Sequence, residues 1–238
     1  MPWPRILLCS ALLTPVLLLP IAAQDSSSSS TSKHTKKAAT QTESTIDAGS
    51  IANSVYRNKS LALSCKIPDG WVLRTEEMNA GADNSPEKAE KSPENSPEKP
   101  EKKDSPDPAP SAGAKVLLAV FSRPPEARAE DVNSSILIAA EPTASYPGLK
   151  EAAQYFGPLT EVAKAQGFTM DEDPYAIAIG TRTLVRSDFH KDVGTRVMHQ
   201  STLAMLSHGY AVSITIISGT EDDVEELIDG LTFSSSGK

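Results

Sequence analysis

Four histidines and two cysteines have the widest chemical reach in this 238-residue chain. His190, His199 and His208 recur every nine residues, and His34 stands alone far upstream. Metal centres read from sequence use short spacings, such as His-x-x-x-His or paired cysteines, that place two donors on one face. None occurs here. A spacing of nine brings two histidines together only through a hairpin. If the turn before His199 centres on Val193-Gly194, the residue opposite His199 is Asp188, and a cross-strand ion pair is expected. Glu221, Asp222, Asp223, Glu225 and Glu226 lack the alternating oxygen donors and central glycine of a calcium loop. They suit the positive end of a helix instead. The sequence therefore assigns no catalytic, cofactor-binding or metal-ligating residue.

Other chemistry is excluded on similar grounds. No nucleophile elbow, phosphate-binding loop, Cys-x-x-Cys or dinucleotide-binding glycine motif is present. The formal net charge is −8 and aromatic residues make up 5%. Nucleic-acid binding needs a basic face and stacking surface, so it is not expected. The lysines between 88 and 103 alternate with glutamates and form no basic patch. Asn58-Lys-Ser60 and Asn133-Ser-Ser135 fit the glycosylation sequon. Ser85, Ser92 and Ser96 each precede a proline.

The N-terminus sets the compartment. Arg5 supplies a positive start, Ile6 to Leu19 is apolar, and Ile21-Ala22-Ala23 ends in small residues. This is the pattern of a secretory signal peptide, with cleavage expected after Ala23 and a secreted or periplasmic product. Pro15, Pro20 and the short apolar run weigh against a retained membrane span. Cys9 follows Leu8 and does not read as a lipid-attachment site. After cleavage Cys65 is the sole cysteine, so no internal disulfide can form. Its place on an apolar strand face makes it a buried small residue.

Residues 24–49, rich in Ser, Thr, Lys and Gln, are expected to be a flexible leader. Residues 80–114 carry the imperfect repeat Ser85-Pro-Glu-Lys, Ser92-Pro-Glu-Asn, Ser96-Pro-Glu-Lys and should be a disordered insertion. Around it lies one domain, residues 50–234, of about 150 ordered residues, enough for a real core. Residues 235–238 are a tail. Leu61, Leu63, Cys65 and Ile67 alternate as a half-buried strand, and Pro68-Asp69-Gly70 turns into Trp71-Val72-Leu73, a hairpin anchored by Trp71. Lys115–Arg123 and Ser134–Glu141 read as buried strands. Gly148–Gln166 reads as a helix split at Gly157-Pro158 and stopped by Gly167. Tyr175–Ile179, Thr181–His190, Arg196–Ser207 and Tyr210–Ser218 read as an antiparallel meander. Thr220 caps a last helix, with Asp223 three residues on and Val224, Leu227, Ile228 and Leu231 on its apolar stripe. Strands with segregated helices make an α+β domain.

Tyr56-x-Asn58…Leu63…Ile67-Pro68-Asp69-Gly70-Trp71 resembles the opening of the PsbP-like superfamily, which includes the photosystem II extrinsic protein P and a Ran-binding import factor. The stretch from Gly180 through Gly209-Tyr210 to the acidic helix and Leu231-Thr-Phe233 is similar as well. The resemblance implies an α/β/α sandwich, a central antiparallel sheet flanked by helices. It carries over no partner-contact residue. The expected function is that of an exported, non-enzymatic binding or accessory protein that serves an envelope complex through a protein partner. A small-ligand carrier or sensor, and an enzyme of unrecognised type, are the alternatives.

Overall fold

The computed structural model describes residues 46–83, 114–124, 127 and 131–234, with the backbone alone at 81–83. The expected signal peptide, most of the leader, nearly all of the insertion and the residues after 234 lie outside these.

The first elements among the described residues are three short antiparallel strands, β1 (Ser50–Ala52), β2 (Val55–Asn58) and β3 (Leu63–Lys66). Asn58 fixes the bend between β2 and β3. It donates to the Asp47 carbonyl at 2.7 Å and accepts from the Leu61 amide at 3.0 Å. The Pro68-Asp69-Gly70 turn forms, with Gly70 at φ +80. It is not a hairpin turn. The next strand, β4 (Val72–Leu73), pairs in a second sheet, so the turn carries the chain from one sheet to the other. Trp71 packs half-buried against the core margin, whereas Tyr56 is fully buried.

Helix α1 (Thr75–Asp83) was not expected. Glu76 and Glu77 suit its positive end, and two of its side chains replace a strand partner. Thr75 accepts from the Ala119 amide, while Asn79 accepts from the Val116 amide and donates to the Val116 carbonyl, all within 3.0 Å. The receiving strand, β5 (Lys115–Phe121), pairs with β6 (Ser135–Pro142). A 3₁₀ turn over Ala152–Tyr155 runs directly into α2 (Phe156–Ala165), which ends at Gly167 with φ +87. The meander follows: β7 (Thr169–Met170), β8 (Tyr175–Ile179), β9 (Arg182–Val193), β10 (Arg196–Ser207) and β11 (Tyr210–Ser218). Helix α3 (Glu221–Asp229) starts at Thr220, whose hydroxyl accepts from the Asp223 amide. Strand β12 (Leu231–Phe233) closes the small sheet against β3.

The small sheet runs β1-β2-β3-β12. The large one runs β4-β5-β6-β11-β10-β9-β7, with β8 beside β7 on the outer edge of β9. Every pairing is antiparallel. Alternation divides the large sheet into two buried faces. Leu118, Ile136, Ile138, Leu203, Val212 and Ile214 meet Tyr56, Leu63 and Cys65 of the small sheet and Val224 and Ile228 of α3. On the other face α1 brings Met78 against Phe121 and Leu137, and Tyr155 and Phe156 pack on Ala204 and Ala211. The antiparallel α+β class thus holds. Helices α1 and α2 and the segments beside them cover one face, whereas a second sheet shares the other with α3. Among the described residues no helix is long and apolar enough to cross a membrane.

Candidate functional site

The core face of the large sheet is not covered to its end. Beyond the reach of the small sheet, the outer halves of β9 and β10, the edge segment after β7 and the start of α3 surround a cleft of about 210 Å³. Asp171, Glu172, Arg186, Asp188, His199, Glu221 and Glu225 are among its lining residues. Two-residue alternation places Arg186, Asp188 and His190 on one face of β9. The acidic first turn of α3 docks above them.

Arg186 is the pivot, 8% exposed. Its Nε donates to Asp188 Oδ1 at 2.9 Å, and its Nη2 donates to Glu225 Oε1. Its guanidinium lies 6.0 Å from the Tyr175 ring centroid. Tyr175 in turn donates to Asp188 Oδ2 at 2.8 Å. Burial would lower the Arg186 pKa, but the bonds to Glu225 and Asp188 outweigh it, so the guanidinium stays charged. Burial, and then the bond to Asp188, push the Tyr175 phenol up to about 12. The innermost groups therefore spend their hydrogen bonds on one another.

The histidines occupy other places than expected. The β9–β10 turn is Gly194-Thr195, not Val193-Gly194, and one residue of turn displacement shifts the register by two. His199 therefore lies opposite His190, and Asp188 lies opposite Ser201. The predicted Asp188–His199 pair does not form. His190 Nδ1 bonds Asp171, and His199 Nδ1 lies 3.6 Å from Glu221 Oε1. His208 sits in the β10–β11 turn, its ring nitrogen 2.9 Å from the Ser207 hydroxyl. His34 lies outside the described residues. Among those described, no three His, Cys, Asp or Glu side chains converge on one point.

Other chemically capable residues are absorbed by the fold. Cys65 is fully buried, and burial pushes its thiol up to about 12. Asn58 is 1% exposed with its amide engaged, so the first sequon is not presented as an acceptor. Asn133 is held by Ser122 and Arg123. On the opposite face, buried Glu141 accepts from Tyr155 at 2.7 Å and also from Tyr146. Burial, then this carboxylate, raise the Tyr155 pKa. Glu141 pins the 143–155 segment to β6.

Sequence reasoning did not single out Arg186, Tyr175 or Asp171. A signal existed in Arg186-x-Asp188-x-His190, three ionisable residues at alternate positions of one strand. That spacing sends all three to one face.

No family model matches this sequence, and no curated protein matches it. Among solved structures it is similar to LpqN of Mycobacterium tuberculosis, described as involved in cell envelope biogenesis. That match has TM-score 0.34 and 14% identity, covering 73% of this chain and 83% of that one. A Pseudomonas aeruginosa protein of unknown function gives TM-score 0.30 and 17% identity over 42% of this chain and 68% of that one. A Bacteroides thetaiotaomicron protein gives 0.34 and 12%, over 74% of this chain and 46% of that one. Scores at this level establish neither a shared fold nor a shared role.

Proposed function

We propose that this chain is an exported, non-enzymatic binding or accessory protein that contacts a protein partner, in an envelope setting, through the acidic cleft between β9, β10 and α3. The observation that carries the reading is the cleft's charge. Asp188 and Glu225 are spent on Arg186, which leaves Asp171, Glu172 and Glu221 at the mouth, with His190 beside Asp171 and His199 near Glu221. Such a surface suits a basic segment of a partner and would steer its approach. The inner groups support binding over catalysis, because Arg186, Asp188 and Tyr175 are mutually saturated and present no nucleophile paired with a base. The signal-peptide pattern of residues 1–23 supports export. The Tyr56–Trp71 segment and the layered antiparallel sheet support a PsbP-like sandwich.

This cleft does not suit a sizeable small molecule. The cleft falls below the roughly 300–1,000 Å³ of ordinary ligand pockets. The space between sheet and α3 is filled by Val224 and Ile228 against the core.

The test is affinity capture from an envelope fraction with the exported chain and with a Glu172→Lys, Glu221→Lys variant. A protein retained by the parent chain and released by the charge reversal is the expected result. Equal recovery by both, or reproducible recovery of nothing, would refute the proposal.

A further inference from the structure

His190 and His199 are directly opposed on neighbouring antiparallel strands, so both rings project from the same face. Directly opposed residues have Cβ atoms about 4.5–5.5 Å apart. Two nitrogens that share one ion at about 2.0–2.1 Å each lie at most about 4.2 Å from one another. Ordinary rotamer adjustment of opposed imidazoles spans that gap.

The neighbouring carboxylates prepare both rings for this role. Each faces a carboxylate through Nδ1, His190 to Asp171 and His199 to Glu221. A carboxylate at Nδ1 keeps the proton there and leaves Nε2 as a free lone pair, the arrangement that orients metal-bound histidines. Neither Nε2 has a hydrogen-bond partner among the described residues. The two side chains are 37% and 23% exposed, so an ion can reach them. Asp188 and Glu225 add negative potential nearby, although both are engaged with Arg186.

We propose that His190 and His199 form an open two-imidazole site for a borderline divalent cation: Zn²⁺, Cu²⁺ or Ni²⁺. Imidazole donors suit these ions, whereas Ca²⁺ and Mg²⁺ require oxygen cages. No third side chain converges on the pair among the described residues, so water completes the coordination. The sequence concealed the pair because a spacing of nine becomes a cross-strand contact only with Gly194-Thr195 as the turn. The site is independent of the partner proposed above, since metal binding is read with no partner present.

The experiment uses the full chain without an appended histidine tag. Zn²⁺ is titrated calorimetrically, and the Cu²⁺-loaded protein is read by electron paramagnetic resonance. One ion per chain is expected, with coupling to two imidazole nitrogens. His190→Asn and His199→Asn should each weaken Zn²⁺ binding at least about tenfold, and Asp171→Asn by roughly 10–100-fold. His208→Asn should leave it unchanged. Affinity should fall as the pH is lowered, because the ligands must be deprotonated. Absence of Zn²⁺ binding, a preference for Ca²⁺, or undiminished binding in the His190→Asn, His199→Asn double variant would overturn the proposal. So would a parent Cu²⁺ spectrum lacking two-nitrogen coupling, a readout that does not depend on any variant folding.

Discussion

Replacing Arg186 with methionine keeps most of the buried stem and removes the charge. In the folded protein Arg186 is nearly sealed and bridges Asp188 on its own strand to Glu225 on α3. Its loss leaves the Asp188 carboxylate, 23% exposed, with the Tyr175 hydroxyl as a hydrogen-bond donor. A charged hydrogen bond at such a site is worth roughly 1.5–3 kcal/mol. Glu225 is 53% exposed and turns to water, so its share is about 0–1 kcal/mol. The total, about 1.5–4 kcal/mol, overlaps the lower part of the 3–5 kcal/mol of a fully buried broken pair. A loss of about 3 kcal/mol in a unit of this size lowers Tm by roughly 6–12 °C. Thermal unfolding followed by circular dichroism measures it. Asp188→Asn in the Arg186→Met background should recover about 1 kcal/mol or more, because the stranded carboxylate is then gone. A Tm change under about 2 °C, or strictly additive single and double variants, would show that Arg186 is not the electrostatic pivot of the cleft.

Cys65 and Tyr175 both have folded-state pKa values raised to about 12, Cys65 from 9.0 and Tyr175 from 10.0, so folding favours their protonated forms. Their stabilisation is complete below pH 9 and is lost as pH rises from 9 towards 12. For the buried thiol the loss is on the order of 4 kcal/mol; Cys65→Ala should flatten the alkaline limb of a stability–pH profile, and an unchanged limb would contradict this. Native Cys65 should also resist an aromatic disulfide reagent at pH 8 and react fully once unfolded. Gly180 has φ +57, and an added Cβ would stand 2.6 Å from the Phe233 carbonyl oxygen, itself an acceptor for Thr181. Gly180→Ala should therefore cost about 1–3 kcal/mol, read by urea titration. Glu141→Leu removes the acceptor shared by the Tyr155 and Tyr146 hydroxyls and should cost roughly 1–3 kcal/mol, with faster amide exchange over residues 143–155; unchanged exchange would refute the pinning role.

Much of the meander was legible. Arg196–Ser207 and Tyr210–Ser218 occupy the predicted strands, because strict alternation and Gly209 fix both ends. Thr220 caps α3 as the spacing to Asp223 implies. The second sheet was not legible. Pro68-Asp-Gly forms the expected turn, yet turn chemistry alone does not say whether the two strands pair with each other or part company. Helix α1 was hidden because its anchoring contacts, Thr75 to Ala119 and Asn79 to Val116, span 44 and 37 residues of sequence. The cleft was lost to register. Val193-Gly194 and Gly194-Thr195 are equally plausible turns by composition, but they set different residues against His199. Only the pairing of β9 with β10 separates an ion pair from two facing imidazoles.

The central claim is that the cleft between β9, β10 and α3 is the working surface. Hydrogen exchange of the exported chain, free and in complex with the partner captured from the envelope fraction, tests it most directly. The account predicts slowed exchange confined to the amides of 171–173, 186–190, 198–201 and 220–226. Protection instead on the small sheet, residues 50–66, or along α2 and the segment before it would contradict it.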